Sequence, residues 1–307
     1  MRRGRDLRAD RLSDVAARGL IGLARALPYR ARVPAAGRAM RALSRPLGWS
    51  ARIDENLDHV RPDMPEGERA RLRRLVPDNV GRSFIEMYSG EAFLGRMRGL
   101  PLGGPGAEAL EEARLAGRPV VAVTAHFGNY NAARAAIIGA GHRMGSLYRP
   151  MHNAAFDAHY TAAMEAMGGA MFRQGRAGLA QMIRHLRGGG LVAVLQDLWV
   201  HDGVPLPFLG QPAPTSLSAA EMALRYDALL VPFYGIRGPD GLSFDIRIGP
   251  EVAHTDPVTM TRDLTADLES MIERAPEQWF WIHRRWKPHR EARRLLRQTK
   301  GGAADGR

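Results

Sequence analysis

Apolar residues in the first hundred positions recur at helical spacing. Leu12, Val15, Ala16, Gly19, Leu20, Leu23 and Leu27 fall three or four apart, with Arg8, Arg11, Arg18 and Arg25 off that stripe. This spacing predicts an amphipathic helix over 12–27. Further helices are expected over 33–43, 52–60 and 65–97. The last reads as two helices or as one kinked near Pro77, because proline disrupts a helix interior. Leu100-Pro-Leu-Gly-Gly-Pro-Gly106 then breaks the pattern. From residue 119 onward short apolar runs alternate with helical stretches. Strands are expected over 119–124, 143–148, 191–195, 229–236 and 243–248, and helices over 131–138, 153–167, 176–186, 216–226 and 259–275. Such alternation predicts an α/β fold, a central sheet flanked by helices, behind a helical N-terminal region. The divisions expected are 1–100, 101–290 and a flexible tail over 291–307.

With 307 residues, 45% of them apolar, the chain is long enough to bury a substantial core. It contains no cysteine, which excludes disulfides, thiol nucleophiles and cysteine-based metal sites. Its net charge of +12 is unevenly spread. Residues 1–50 carry twelve arginines against three aspartates, and residues 284–307 carry nine basic residues against two acids, so the middle is slightly acidic. Two basic ends suit an anionic surface, lipid headgroups or nucleic acid. No recognisable nucleic-acid recognition module accompanies the charge, so that partner is not expected. No stretch is apolar over the length needed to span a bilayer. The 12–27 stripe suits a helix lying in a membrane interface, with packing on its own domain as the alternative.

The chemistry points to Val120-Val-Ala-Val-Thr-Ala-His-Phe-Gly-Asn-Tyr-Asn131. An apolar strand ends on His126, a glycine-containing turn follows, and a helix begins. A neutral imidazole displayed there can serve as a general base if an acceptor holds its other nitrogen. Gly128 permits close backbone approach by a ligand, and Asn129 offers amide hydrogen bonds. Arg149 ends a strand and reads either as a surface arginine or as a planar fork for an anionic group. Asp197 follows the apolar run 191–195 and either lines the same pocket or caps a turn. Trp279, Trp281 and Trp286 interleave with His283, Arg284, Arg285 and Lys287. That cluster reads as core plus headgroup contact, with Trp279 and Ile282 inward and the arginines outward. His142, His152, His159, His185, His201, His254 and His289 show no metal-ligand spacing.

His126-Phe-Gly-Asn-Tyr-Asn131 resembles the His-x4-Asp/Glu motif of the glycerolipid acyltransferases, and more closely that of the bacterial lipid A biosynthesis (lauroyl/myristoyl) acyltransferases. Four further blocks resemble the same family in the same order: Asn79 to Glu86, Leu147-Tyr-Arg-Pro-Met-His-Asn153, Gln196-Asp197 with Gly203 to Thr215, and Ala275 to Lys287. The resemblance covers roughly 20–290. It implies a mixed sheet and transfer of an acyl chain from an acyl-carrier-protein thioester to a hydroxyl of a lipid A precursor. That work would be done peripherally on the cytoplasmic face of the inner membrane, with neither metal nor other cofactor. His126 would be the base and the residue at 131 its carboxylate partner. Gly128, Asn129, Arg149 and Asp197 would bind substrate, with Asp197 expected in an ion pair with Arg149. The chain departs from the pattern at Asn131, which is neutral. In a serine-protease triad, Asp to Asn in this role lowers turnover by about 10⁴. Three readings stay open: a slow acyltransferase, a site where another acid such as Asp157 or Glu165 substitutes, or a non-catalytic lipid-binding relative. A lysophospholipid or an amino-acid lipid is the alternative to a lipid A precursor as acceptor.

Overall fold

The computed structural model describes residues 7–150 and 153–287; His152, His289 and the tail over 291–307 lie outside them. Five helices come first: α1 (Leu7–Ala26), α2 (Tyr29–Leu43), α3 (Trp49–Val60), α4 (Glu66–Met87) and α5 (Glu91–Met97). The expected 65–97 helix is two, but the break falls at Tyr88–Gly90 rather than at Pro77, which lies buried inside α4. Gly90 adopts φ 50°, a backbone state that suits glycine and ends the helical run. A two-residue strand, β1 (Leu102–Gly103), and α6 (Ala107–Ala116) follow.

The strands expected at 119–124, 143–148 and 191–195 appear as β2 (Val120–Thr124), β3 (Met144–Tyr148) and β5 (Leu191–Leu195). The helices between and after them are α7 (Tyr130–Gly139), α8 (Ala154–Ala166), α9 (Arg176–Arg187), α10 (Ser218–Tyr226) and α11 (Pro257–Arg274). Two further strands, β8 (Leu229–Arg237) and β9 (Phe244–Ile248), complete the expected set. β4 (Ala170–Arg173) and the hairpin of β6 (Val204–Phe208) and β7 (Gln211–Thr215) are additions. The main sheet has seven strands in the order β1-β9-β8-β2-β5-β3-β4. It is mixed: β8 and β9 pair antiparallel and every other pair is parallel. Val120–Thr124 is buried at all five positions, as a central parallel strand covered on both faces must be.

Helices cover both faces. One buried cluster joins α7 (Ala132, Ala136) and Met164 of α8 to Ile21 of α1 and Ile85 of α4. On the opposite face Met182 and Leu186 of α9, Ala223 of α10 and Leu264 of α11 pack against Val121 and Val192. A third cluster links Ile53 and Leu57 of α3 and Val76 of α4 to Phe127, Phe208, Trp279 and Trp281. Because β2, β5 and β3 run parallel, their carboxyl ends share one rim, and loops on that rim are where α/β sheets place ligands.

Candidate active site

His126 stands two residues past the end of β2, and Asp197 two residues past the end of neighbouring β5. Thr124 and Leu195 are register partners, so the pairing of the two strands brings both residues to the same place. The His126 ring donates from Nδ1 to Asp197 Oδ1 at 2.9 Å. The other Asp197 oxygen accepts from the His126 backbone N–H at 2.9 Å and from Trp279 Nε1 at 3.1 Å. Asp197 is only 2% exposed. Burial opposes its ionisation, but the His126 charge and hydrogen bonds, with His283 behind them, outweigh it and hold the carboxyl well below the usual range. Whenever the ring is neutral, a carboxylate accepting at Nδ1 fixes the tautomer and leaves the basic lone pair on Nε2.

Asn131, expected at the imidazole nitrogen, sits in the first turn of α7. Its backbone N–H is capped by Asn129 Oδ1 at 3.0 Å. Its side-chain oxygen is buried and has no hydrogen-bond partner among the described residues. The carboxylate at the ring is therefore Asp197, 71 residues away in sequence. The expected Asp197–Arg149 pair gives way for the same reason: both Asp197 oxygens are engaged, and Arg149 lies exposed beyond the end of β3. Glu165, the other acid considered, is exposed on α8; Asp157 lies on the same helix.

The turn between His126 and α7 is tied down. Gly128 N–H donates to Gln278 O at 2.9 Å, Phe280 N–H to His126 O at 2.9 Å, and Asn129 N–H to Gly235 O at 2.8 Å. The close approach that Gly128 permits is made by the protein itself: with φ 59°, an added Cβ would stand 2.1 Å from the Gly235 oxygen. These backbone donors already have partners, so neither Gly128 nor Asn129 presents a free backbone N–H to an oxyanion. The Asn129 side chain is also engaged, donating to Glu86 Oε2 at 2.7 Å.

Glu86 is the residue that sequence reasoning missed. It is fully buried. Arg237 grips it with two hydrogen bonds of 2.7 and 2.6 Å, and Tyr29 adds a third at 3.2 Å. The available signal was an acid within the apolar run Phe84-Ile85-Glu86-Met87-Tyr88, since a charge in such a run must be paired inside the fold. The C-terminal aromatic block is core: Trp279 and Trp281 are buried. Arg285, expected outward, turns inward and donates to Pro214 O and Thr215 Oγ1, both at 2.6 Å, while Arg284 is exposed.

His283 stacks edge-on against the His126 ring with centroids 4.5 Å apart. Burial, then the neighbouring His126 charge, push its pKa down to about 4, against a smaller upward pull from Asp197. Donor atoms of His126, Asp197 and His283 lie within 4.8 Å of one another, close enough to share a cation. The Asp197 oxygens already serve three N–H groups, so the cluster is organised to hold a proton.

A cavity of about 170 Å³ opens beside His126. Val76, Val80, Phe84 and Met87 of α4 give it an apolar wall, Tyr130, Tyr160 and Phe280 close it, and Asn129 and Asn131 contribute polar edges. It has room for the reacting groups of a substrate and is smaller than typical drug-sized pockets of about 300 Å³ and above.

A buried carboxylate orienting a histidine at the mouth of an apolar cavity, on the carboxyl rim of an α/β sheet, is the equipment of an acid–base transferase or hydrolase. The chain belongs to the bacterial lipid A biosynthesis acyltransferase family, whose sequence model matches residues 11–288. It is 28% identical over 251 residues to a lipid A biosynthesis lauroyltransferase of Escherichia coli, covering 78% of this chain and 79% of that one. It is 25% identical over 180 residues to a lipid A biosynthesis acyltransferase of Haemophilus influenzae. That match covers 58% of this chain and just over half, 56%, of the Haemophilus protein.

Proposed function

We propose that this protein is an O-acyltransferase that moves a fatty acyl chain from an acyl-carrier-protein thioester to a hydroxyl of a lipid A precursor. The observation that carries the reading is the His126 Nδ1–Asp197 hydrogen bond of 2.9 Å beside an apolar cavity. In this mechanism His126 Nε2 takes the proton of the acceptor hydroxyl as its oxygen attacks the thioester carbonyl. Asp197 stabilises the imidazolium that forms. The tetrahedral adduct collapses, the C–S bond breaks, and the imidazolium returns its proton to the departing thiolate. An ester and a free thiol result, so one proton moves and no other reactant is consumed. Asn131 is a cavity-wall residue in this reading, and its neutrality leaves the base intact. Arg149, exposed on the same rim, meets an anionic group of the acceptor in this reading.

The working site is the cytoplasmic face of the inner membrane. No described helix is long and apolar enough to cross a membrane. α1 instead exposes Val15, Leu20 and Leu23, the last two at 69% and 72%, with Leu27 exposed just past its end. Exposed leucines among arginines suit an interfacial helix on anionic lipid. The test is transfer of a labelled acyl group from carrier protein to a panel of lipid A precursors, lysophospholipids and amino-acid lipids. Product should form on a lipid A precursor and vanish in His126→Ala. Transfer to a lysophospholipid alone would replace the acceptor, and no transfer to any acceptor would overturn the enzyme reading.

A further inference from the structure

The outer face of α9 is cationic and has nothing to neutralise it. Residues 166–196 contain four arginines and no aspartate or glutamate. Arg176, Arg184 and Arg187 lie exposed on α9, and Arg173 is exposed at the end of β4 just before it. Among the described residues none of the four takes part in an ion pair. Four of the five arginines of α4 contrast with them: Arg69, Arg71, Arg73 and Arg82 face acids. Gly178, Met182 and Leu186 turn inward, so positions 176, 180, 184 and 187 form one outward stripe, with Leu179 exposed beside it at 45%. The stripe is rigidly mounted, because Gly178 meets the Arg173 carbonyl so closely that a Cβ would stand 1.8 Å from it.

Its location distinguishes an acidic protein from a lipid surface as occupant. α1, with its exposed leucines, packs in the cluster on one face of the sheet, and α9 packs on the other. A membrane held by α1 leaves α9 turned toward solvent. The amino end of α9 follows β4 directly, and Tyr148 of β3 pairs with Arg173, so Arg176 stands on the rim that carries His126. Three strand steps separate β4 from β2 in the order β2-β5-β3-β4, about 14 Å at the usual strand spacing. A tethered thioester can span that distance while its carrier stays outside.

We propose that the Arg173–Arg176–Arg184–Arg187 surface is the docking site of the acidic acyl carrier protein; this rests on the carrier-thioester reading above. Charge complementarity of this kind speeds encounter and fixes orientation, and Leu179 supplies an apolar contact beside the stripe. The test compares two donors, acyl carrier protein and the same acyl chain on free pantetheine, in the full-length protein and in the triple variant Arg176→Glu/Arg184→Glu/Arg187→Glu. KM for the carrier donor should rise roughly tenfold or more with kcat kept, while KM for acyl-pantetheine stays unchanged. A control reversal elsewhere, Arg74→Glu/Arg262→Glu, should leave both alone. An unchanged carrier KM in the triple variant, or an equal rise in the control, overturns the docking site while leaving the donor reading standing. A wild-type protein whose KM for acyl-pantetheine equals its KM for the carrier donor overturns the donor reading and the docking site together. Loss of binding to anionic vesicles in the triple variant, with carrier KM unchanged, would make the stripe a lipid surface instead.

Discussion

Two buried carboxylates flank the His126 turn, and they differ in what they hold. Glu86 binds Arg237, Tyr29 and Asn129; its cationic partner is a guanidinium that does not change charge at any pH the protein meets. Asp197 binds an imidazole, the one common side chain that gains and loses a proton near neutrality. The first pairing is static and braces α4 against β8 and the cap of α7. The second can follow a proton through a reaction. Similar burial thus supports a frame in one place and chemistry in the other, and the chemistry belongs where the partner can change charge.

Replacing each acid should separate the two roles. Asp197→Asn keeps an oxygen for the His126 and Trp279 N–H groups but removes the charge opposite the imidazolium. Turnover should fall roughly 10³-fold with the fold retained, checked by steady-state kinetics beside circular dichroism. Turnover within a few-fold of wild type would break the comparison. Glu86→Ala leaves Arg237 buried and unpaired, which should cost about 3–5 kcal/mol of stability in urea melts. Glu86→Leu combined with Arg237→Met should recover much of that loss, because an apolar pair needs no partner.

The next effect is on pH. His283 has an ordinary pKa of 6.5 and a folded value of about 4. Between those values the unfolded chain binds the extra proton, so native stability should fall as pH drops through that window. His283→Phe should flatten the fall, read as urea midpoints at pH 7, 5.5 and 4.5; an unchanged slope would count against a buried neutral His283. Asp197 acts in a lower window: its depressed folded pKa contributes stability above the ordinary 3.8 that is lost as pH falls below it. The smallest effect is expected for Asn131→Asp. The new carboxyl would be desolvated in the cavity wall, away from the imidazole Nδ1, and kcat should barely change.

Much of this was legible in the sequence. The strand leading to His126 and the alternation after residue 119 followed from periodicity, because a parallel sheet covered on both faces requires continuous apolar strands. The partner of His126 was not legible. A motif read along the chain looks five residues ahead, to Asn131, whereas Thr124 and Leu195 in register bring Asp197 across from 71 residues away. The β6–β7 hairpin escaped because four prolines argue against strands. They face one another as Pro205–Pro214 and Pro207–Pro212, alternate pairs in a two-stranded ribbon whose N–H groups point away from the partner strand. Leu209 and Gly210 turn the hairpin with φ 49° and 78°. Glu86 was visible as an oddity, but naming Arg237 as its partner needed the packing of α4 on β8.

Asp197, and not the residue at 131, holds the His126 ring. Nuclear magnetic resonance of ¹⁵N-histidine-labelled protein reads that bond without any choice of substrate. A strongly downfield His126 Nδ1 proton should persist in Asn131→Ala and Asn131→Asp and disappear in Asp197→Ala. A downfield proton that survives Asp197→Ala, or that appears only in Asn131→Asp, would contradict this pairing.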